Sequence, residues 1–188
     1  ITALGAGTGV QAATGEWNDG WVEETTSGVV VTAVSHEDIV AMAIGGSGGG
    51  SAGVAGSGVV DVLLETTRAE IGENVRINHG AAGLEPDQRV LVAAADHTSL
   101  FALAGALAGG GSAGVGAGLD VGVLVKDTQA FIGTSSVVEA GQDVIVRALS
   151  DEEILSISAS AALGGSAGVG GSVGVYTLVL TTRAFVGA

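Results

Sequence analysis

Three short stretches hold enough ligand and acid–base groups to do chemistry: "SHEDI" at residues 35–39, "DHTSL" at 96–100 and "SDEEI" at 150–154. Paired carboxylates can serve as acid and base in glycoside hydrolysis. A histidine among carboxylates is a common beginning of a metal site. The carboxylates vary from stretch to stretch, however, and no aromatic platform for a sugar adjoins them. No nucleophile, base and orienting group converge, so the chain reads as a non-enzyme and these stretches as solvated polar corners guarding adhesive strands.

"EWNDGWVEE" at 16–24 carries both tryptophans around an Asp-Gly turn. It reads either as a hairpin whose rings cover a scaffold or as a recognition site formed by Trp17, Asn18, Asp19 and Trp21. That site would suit a carbohydrate, a host surface or a neighbouring subunit, and Ca2+ is the ion that Glu16, Asn18 and Asp19 would take. No other cofactor is implied. "GAGTGV" at 5–10 lacks the third glycine of a dinucleotide loop, and "GGSAGV" at 49–54, 110–115 and 164–169 lacks the lysine of a phosphate loop. "GAGLD" ending at Asp120 resembles a calcium nonapeptide, but Val59 and Gly174 occupy the equivalent positions and form no carboxylate ladder.

The "GGSAGV" copies are the punctuation of a repeat. Their serines, Ser51, Ser112 and Ser166, are spaced by 61 and 54 residues. "VVV" at 29–31, "VLV" at 90–92 and "VIV" at 144–146 follow the same offsets, as do "TRAEIG", "TQAFIG" and "TRAFVG". His36 and His97 are equivalent, with Asp151 as the third member. The chain is a single array of residues 1–72 (with an N-terminal insertion), 73–133 and 134–188. The seven-residue difference lies in "ENVRINHGAAGLEPDQR" at 73–89, a loop at one point of a regular scaffold. Both ends cut through repeats, so the chain reads as an internal segment of a longer protein.

Composition narrows the functional classes. Twenty acidic residues against six basic ones give a formal charge of −14, and the basic residues are scattered singly. Nucleic acid and anionic membrane surfaces both require clustered cations, which excludes them as partners. The chain has no cysteine, hence no disulfides or thiolate sites. Residues 39–60 and 99–119 are uncharged and long enough to span a membrane, but the second holds seven glycines, each costing about 1 kcal/mol in a helix. No membrane insertion is expected.

Alternation of period two, with Val, Ile and Thr dominant, predicts strands. A repeat of 54 residues divides into three turns of about 18, the size of one coil of a parallel β-solenoid. The "GGSAG" segments would supply bends where glycine permits positive φ. An all-β parallel solenoid of three repeats is therefore the expected fold, with a β-meander or an intertwined β-prism fibre as alternatives. On three coils per repeat, His36 and His97 would lie about 14 Å apart; on one coil, they would be about 4.8 Å apart and a ladder would form.

The stretch "SAGVGAGLDVGVLVKDTQAFIGTSSVVEAGQDVIVRA" at 112–148 resembles the repeats of large secreted bacterial filamentous adhesins, in particular the leukotoxin-like and haemagglutinin-type group. The resemblance covers most of the chain outside the insertions at 5–29 and 72–90, which depart from the pattern. It implies a right-handed β-helix in an extracellular or cell-surface rod. The expected function is a structural stalk segment of such an adhesin, partnered by neighbouring repeats. The alternative is a self-associating subunit of an extracellular filament or sheath.

Overall fold

The structure, a computed structural model, describes residues 9–82 and 84–187. The "GAGTGV" loop falls largely outside them. The described residues form β-strands and connecting turns: β1(Val10–Trp17), β2(Trp21–Thr26), β3(Gly28–Gly49), β4(Ala52–Ile71), β5(Arg76–Ile77), β6(Arg89–Gly110), β7(Ala113–Ile132), β8(Val137–Val138), β9(Val144–Gly164) and β10(Ala167–Val186).

Six of these strands are 20–22 residues long. At about 3.3 Å per residue each extends roughly 65–70 Å. They build two three-stranded sheets, ordered β3-β6-β9 and β4-β7-β10. All pairing within both sheets is parallel and in unbroken register, from Gly28↔Arg89 to Ile71↔Ile132 and from Val90↔Val144 to Ile132↔Val186. The chain is a parallel β-solenoid. Parallel pairing excludes a meander for these strands; among the described residues only the β1–β2 hairpin is antiparallel.

Each repeat makes one coil, not three. A long strand runs out along the first sheet, reverses at residues 50–51, 111–112 or 165–166, and returns along the second sheet. The division into three fails because each strand runs unbroken for 20–22 residues, which leaves one bend at the tip and no room for further coils within a repeat. One repeat therefore adds a single strand spacing of about 4.8 Å to the stack.

The bends sit where "GGSAG" placed them, but for a different reason. Among the described glycines positive φ is confined to Gly20, Gly28 and Gly80. At the bend the two strands approach backbone to backbone, and a Cβ on Gly49 would collide with the carbonyl oxygen of Ala52. The interior tapers accordingly. Val90, Val92, Ile71, Ile77 and Ile132 fill the wide base, Leu100, Leu124 and Val59 the middle, and Ala55, Ala106 and Ala108 the thin tip.

The two insertions relate to this frame differently: the hairpin stays outside it, whereas Ile77 of the second enters the core and Arg76–Ile77 pairs in parallel with Val137–Val138. Residues 10–26 form the hairpin, which lies on the outer face of the first sheet, with Ala12 packed against Leu91 and Ala93. The loop at 73–89 lies against the base of the third coil, where buried Asn78 donates through Nδ2 to the Glu139 carbonyl at 3.0 Å. Both outer faces carry apolar residues along their middle stretch: Val40, Met42 and Ile44 on one sheet and Val60, Val62 and Leu64 on the other are well exposed. No helix of the described residues is long and apolar enough to cross a membrane.

Candidate functional site

Strand alternation carries half of the expected polar corner into the interior. No corner exists there: residues 35–39, 96–100 and 150–154 lie in mid-strand. Asp96 and Thr98 point inward from β6, and Lys126 and Thr128 face them from β7, all four buried. Their register partners complete four ladders across the coils: Ser35–Asp96–Ser150, Glu37–Thr98–Glu152, Glu65–Lys126–Leu180 and Thr67–Thr128–Thr182.

Lys126 is the centre of this cluster. Its ammonium donates to Asp96 and Thr98 of the same coil. It lies 3.6 Å from Glu65 in the first coil and 3.4 Å from Glu152 in the third. Thr98 donates to Glu37 at 3.1 Å and Ser35 to the other oxygen of Glu37 at 2.5 Å. One cation thus ties together carboxylates from all three coils. Removal from water raises the pKa of Asp96 and of Glu65 against the opposing pull of Lys126.

The carboxylates of Glu37, Glu65 and Asp96 come within 4.8 Å of one another, close enough to share a metal ion. The Lys126 ammonium already contacts two of the three, so the chain supplies the cation itself. The chemistry of the arrangement is positional. A one-residue slip of the second coil would turn Lys126 outward, one of the first or third coil would turn Glu65 or Glu152 outward, and a two-residue slip would part the ammonium from those carboxylates.

A second interior stitch lies nearer the tip. Tyr176 of the third coil covers Gly122 of the second, where a Cβ would collide with its ring. Its hydroxyl donates to Asp120, 3.0 Å away, and lies 3.3 Å from Asp61 of the first coil. Burial and the Asp120 carboxylate push the Tyr176 pKa well above the ordinary phenolic value. Val59 and Gly174 are the register partners of Asp120, as the repeat alignment required.

The outward residues of the same stretches form a third feature. His36 and His97 stack on neighbouring rungs with ring centroids 5.2 Å apart. Trp17, from the hairpin, lies flat on both imidazoles, at 4.3 and 4.2 Å. Trp21 meets Trp17 edge-on at 5.1 Å. His97 Nδ1 lies 3.0 Å from Asp151 of the third coil, and Arg147 of that coil pairs with Glu24 of the hairpin at 3.0 Å. His97 is buried rather than solvated.

The four residues singled out as a recognition site fall into two pairs. Trp17 and Trp21 are half-buried, and one ring face of Trp17 is occupied by histidines. Asn18 and Asp19 are exposed at the hairpin turn, with Asp19 at φ 54° and the Asn18 N–H donating to the Gly20 carbonyl at 2.9 Å. Among the described residues the carboxylates close enough to share a metal ion are those of Glu37, Glu65 and Asp96 in the interior, away from Glu16 and Asp19.

The Lys126 cluster escaped the sequence reading. Its signal is the column Glu65, Lys126, Leu180, three unlike residues that become neighbours only when a repeat makes one coil. Comparison with known proteins gives no further guide: no family model, no curated protein and no solved structure matches this chain.

Proposed function

We propose that the chain is a spacer segment of a longer filamentous protein at the cell surface or secreted from it, an adhesin stalk whose work is mechanical projection. The single observation behind this reading is the stacking itself. Each coil adds to the next through two strands of 20 or more paired residues, and among the described residues the outer edges of β3, β4, β9 and β10 are unpaired. A parallel stack of this kind lengthens by repetition and carries load through strand pairing along its whole width. Its chemistry resides in interior stitches that fix register rather than in an open cleft.

On this reading the adjoining partner is another coil. The hairpin turn with Asn18 and Asp19, beside Trp21, is the place for a carbohydrate or host-surface contact, with Ca2+ as the accompanying ion. A second reading, a subunit that self-assembles into an extracellular filament, draws on the same open edges.

Immunogold labelling of cells that produce the protein, with an antibody raised against this chain, tests the proposal. Gold outside the cell envelope is the expected result. Labelling confined to the cytoplasm would overturn the reading.

A further inference from the structure

Among the described residues no two like charges are register partners on adjacent rungs. Three ladders achieve this by the same alternation. Glu37, Thr98 and Glu152 form one, Asp38, Ser99 and Glu153 the next, and Arg68, Gln129 and Arg183 the third. In each the first and third coils carry the same charge, and the second coil carries a neutral residue between them.

This pattern has a consequence at the open edges. A second copy added head-to-tail in the same register would set its first coil on the third coil of its neighbour. Glu152 would then face Glu37, Glu153 would face Asp38, and Arg183 would face Arg68, each pair about 4.8 Å apart. The Glu152–Glu37 pair would lie inside the solenoid, where solvent screens it least. Its nearest cation, Lys126, is already engaged by Asp96, Glu65 and Glu152. The next residue of the lysine ladder is Leu180, so the third coil brings no ammonium to the Glu65 of an incoming copy.

We infer that the two open edges receive a different coil and reject a second copy of this chain. The coil that fits beside β3 and β4 carries neutral or cationic residues opposite Glu37 and Asp38, and a neutral or acidic one opposite Arg68. The coil that fits beside β9 and β10 meets the same conditions at Glu152, Glu153 and Arg183. The charges at the edges therefore order the stack, because heterologous self-addition would otherwise run on without closing. This inference rests on the reading of the chain as one segment of a longer stack, and it opposes the self-assembling alternative.

The test uses the chain itself and two triple variants that copy the middle coil's neutral residues onto one edge. Glu37→Thr, Asp38→Ser and Arg68→Gln change the first coil; Glu152→Thr, Glu153→Ser and Arg183→Gln change the third. Because they alter opposite ends, loss of folding in one leaves the other to decide, with the β-sheet circular dichroism as the check. At neutral pH the unmodified chain is expected to sediment as a monomer. The triple variants should lose the monomer boundary and form fibres of uniform width, with diffraction at about 4.8 Å and a three-coil repeat near 14 Å. Fibres with that repeat from the unmodified chain would overturn the inference. So would folded triple variants that stay monomeric or that clump without the repeat. Either result leaves the spacer reading standing, whereas cytoplasmic immunogold labelling removes that reading without touching the sedimentation result.

Discussion

Lys126 and Glu65 occupy neighbouring rungs of one ladder inside the solenoid, with the ammonium 3.6 Å from the carboxylate. Glu152 reaches the same ammonium from the third coil. A buried charge that binds three coils at once makes their stacking cooperative and fixes their register.

Replacing Lys126 by Met should therefore destabilise the chain by about 3–5 kcal/mol, because it strands carboxylates without a cation. Urea titration followed by circular dichroism measures the loss. The loss should be smaller at pH 5 than at pH 8, since protonation relieves the stranded acids.

Stability should also rise as pH falls below neutral. Burial raises the pKa of Glu65 and of Asp96 above their ordinary values of 4.5 and 3.8. The folded chain then binds protons that the unfolded chain has released, so mild acid favours the folded state. The contribution is full below those ordinary values and is lost as pH rises through the raised ones. Thermal melts from pH 4 to 8 should show this slope, and the Glu65→Gln, Asp96→Asn double variant should flatten it.

Adjacent glycines at the first bend should respond in opposite ways. A Cβ on Gly48 meets nothing within 4 Å, whereas one on Gly49 meets the Ala52 carbonyl. Gly48→Ala should change stability by no more than about 0.5 kcal/mol. Gly49→Ala should cost about 1–3 kcal/mol or more through overpacking. Denaturant midpoints of the two variants provide the comparison.

Trp17→Ala should release the hairpin without unfolding the coils. Each lost ring contact is worth about 0.5–1.5 kcal/mol. Hydrogen exchange should quicken at β1 and β2 while the amides of β6 stay protected.

Much of the fold was legible in the sequence. The shared offsets of Ser51, Ser112 and Ser166 set the register, and the alternation around Val144 and Val146 showed strands. The number of coils was not legible. Glycines and alanines recur along the whole distal half of each repeat, so composition does not distinguish a bend from a place where two backbones touch. The candidate site was hidden for the same reason. Glu65, Lys126 and Leu180 look unrelated until one coil per repeat makes them neighbours, and the contact of Trp17 with His36 and His97 depends on a hairpin folding back over a distant face.

One coil per repeat is the central claim, and engineered cysteines test it most directly in a chain that has none of its own. Val62 and Val123 are register partners on the outer face of the second sheet. The pair Val62→Cys, Val123→Cys should oxidise to a disulfide within one chain, since bridged Cα atoms lie about 4.4–6.8 Å apart. The offset pair Leu64→Cys, Val123→Cys should not. If the first pair stays reduced under conditions that oxidise accessible thiols, the repeats do not stack coil on coil, and the account fails.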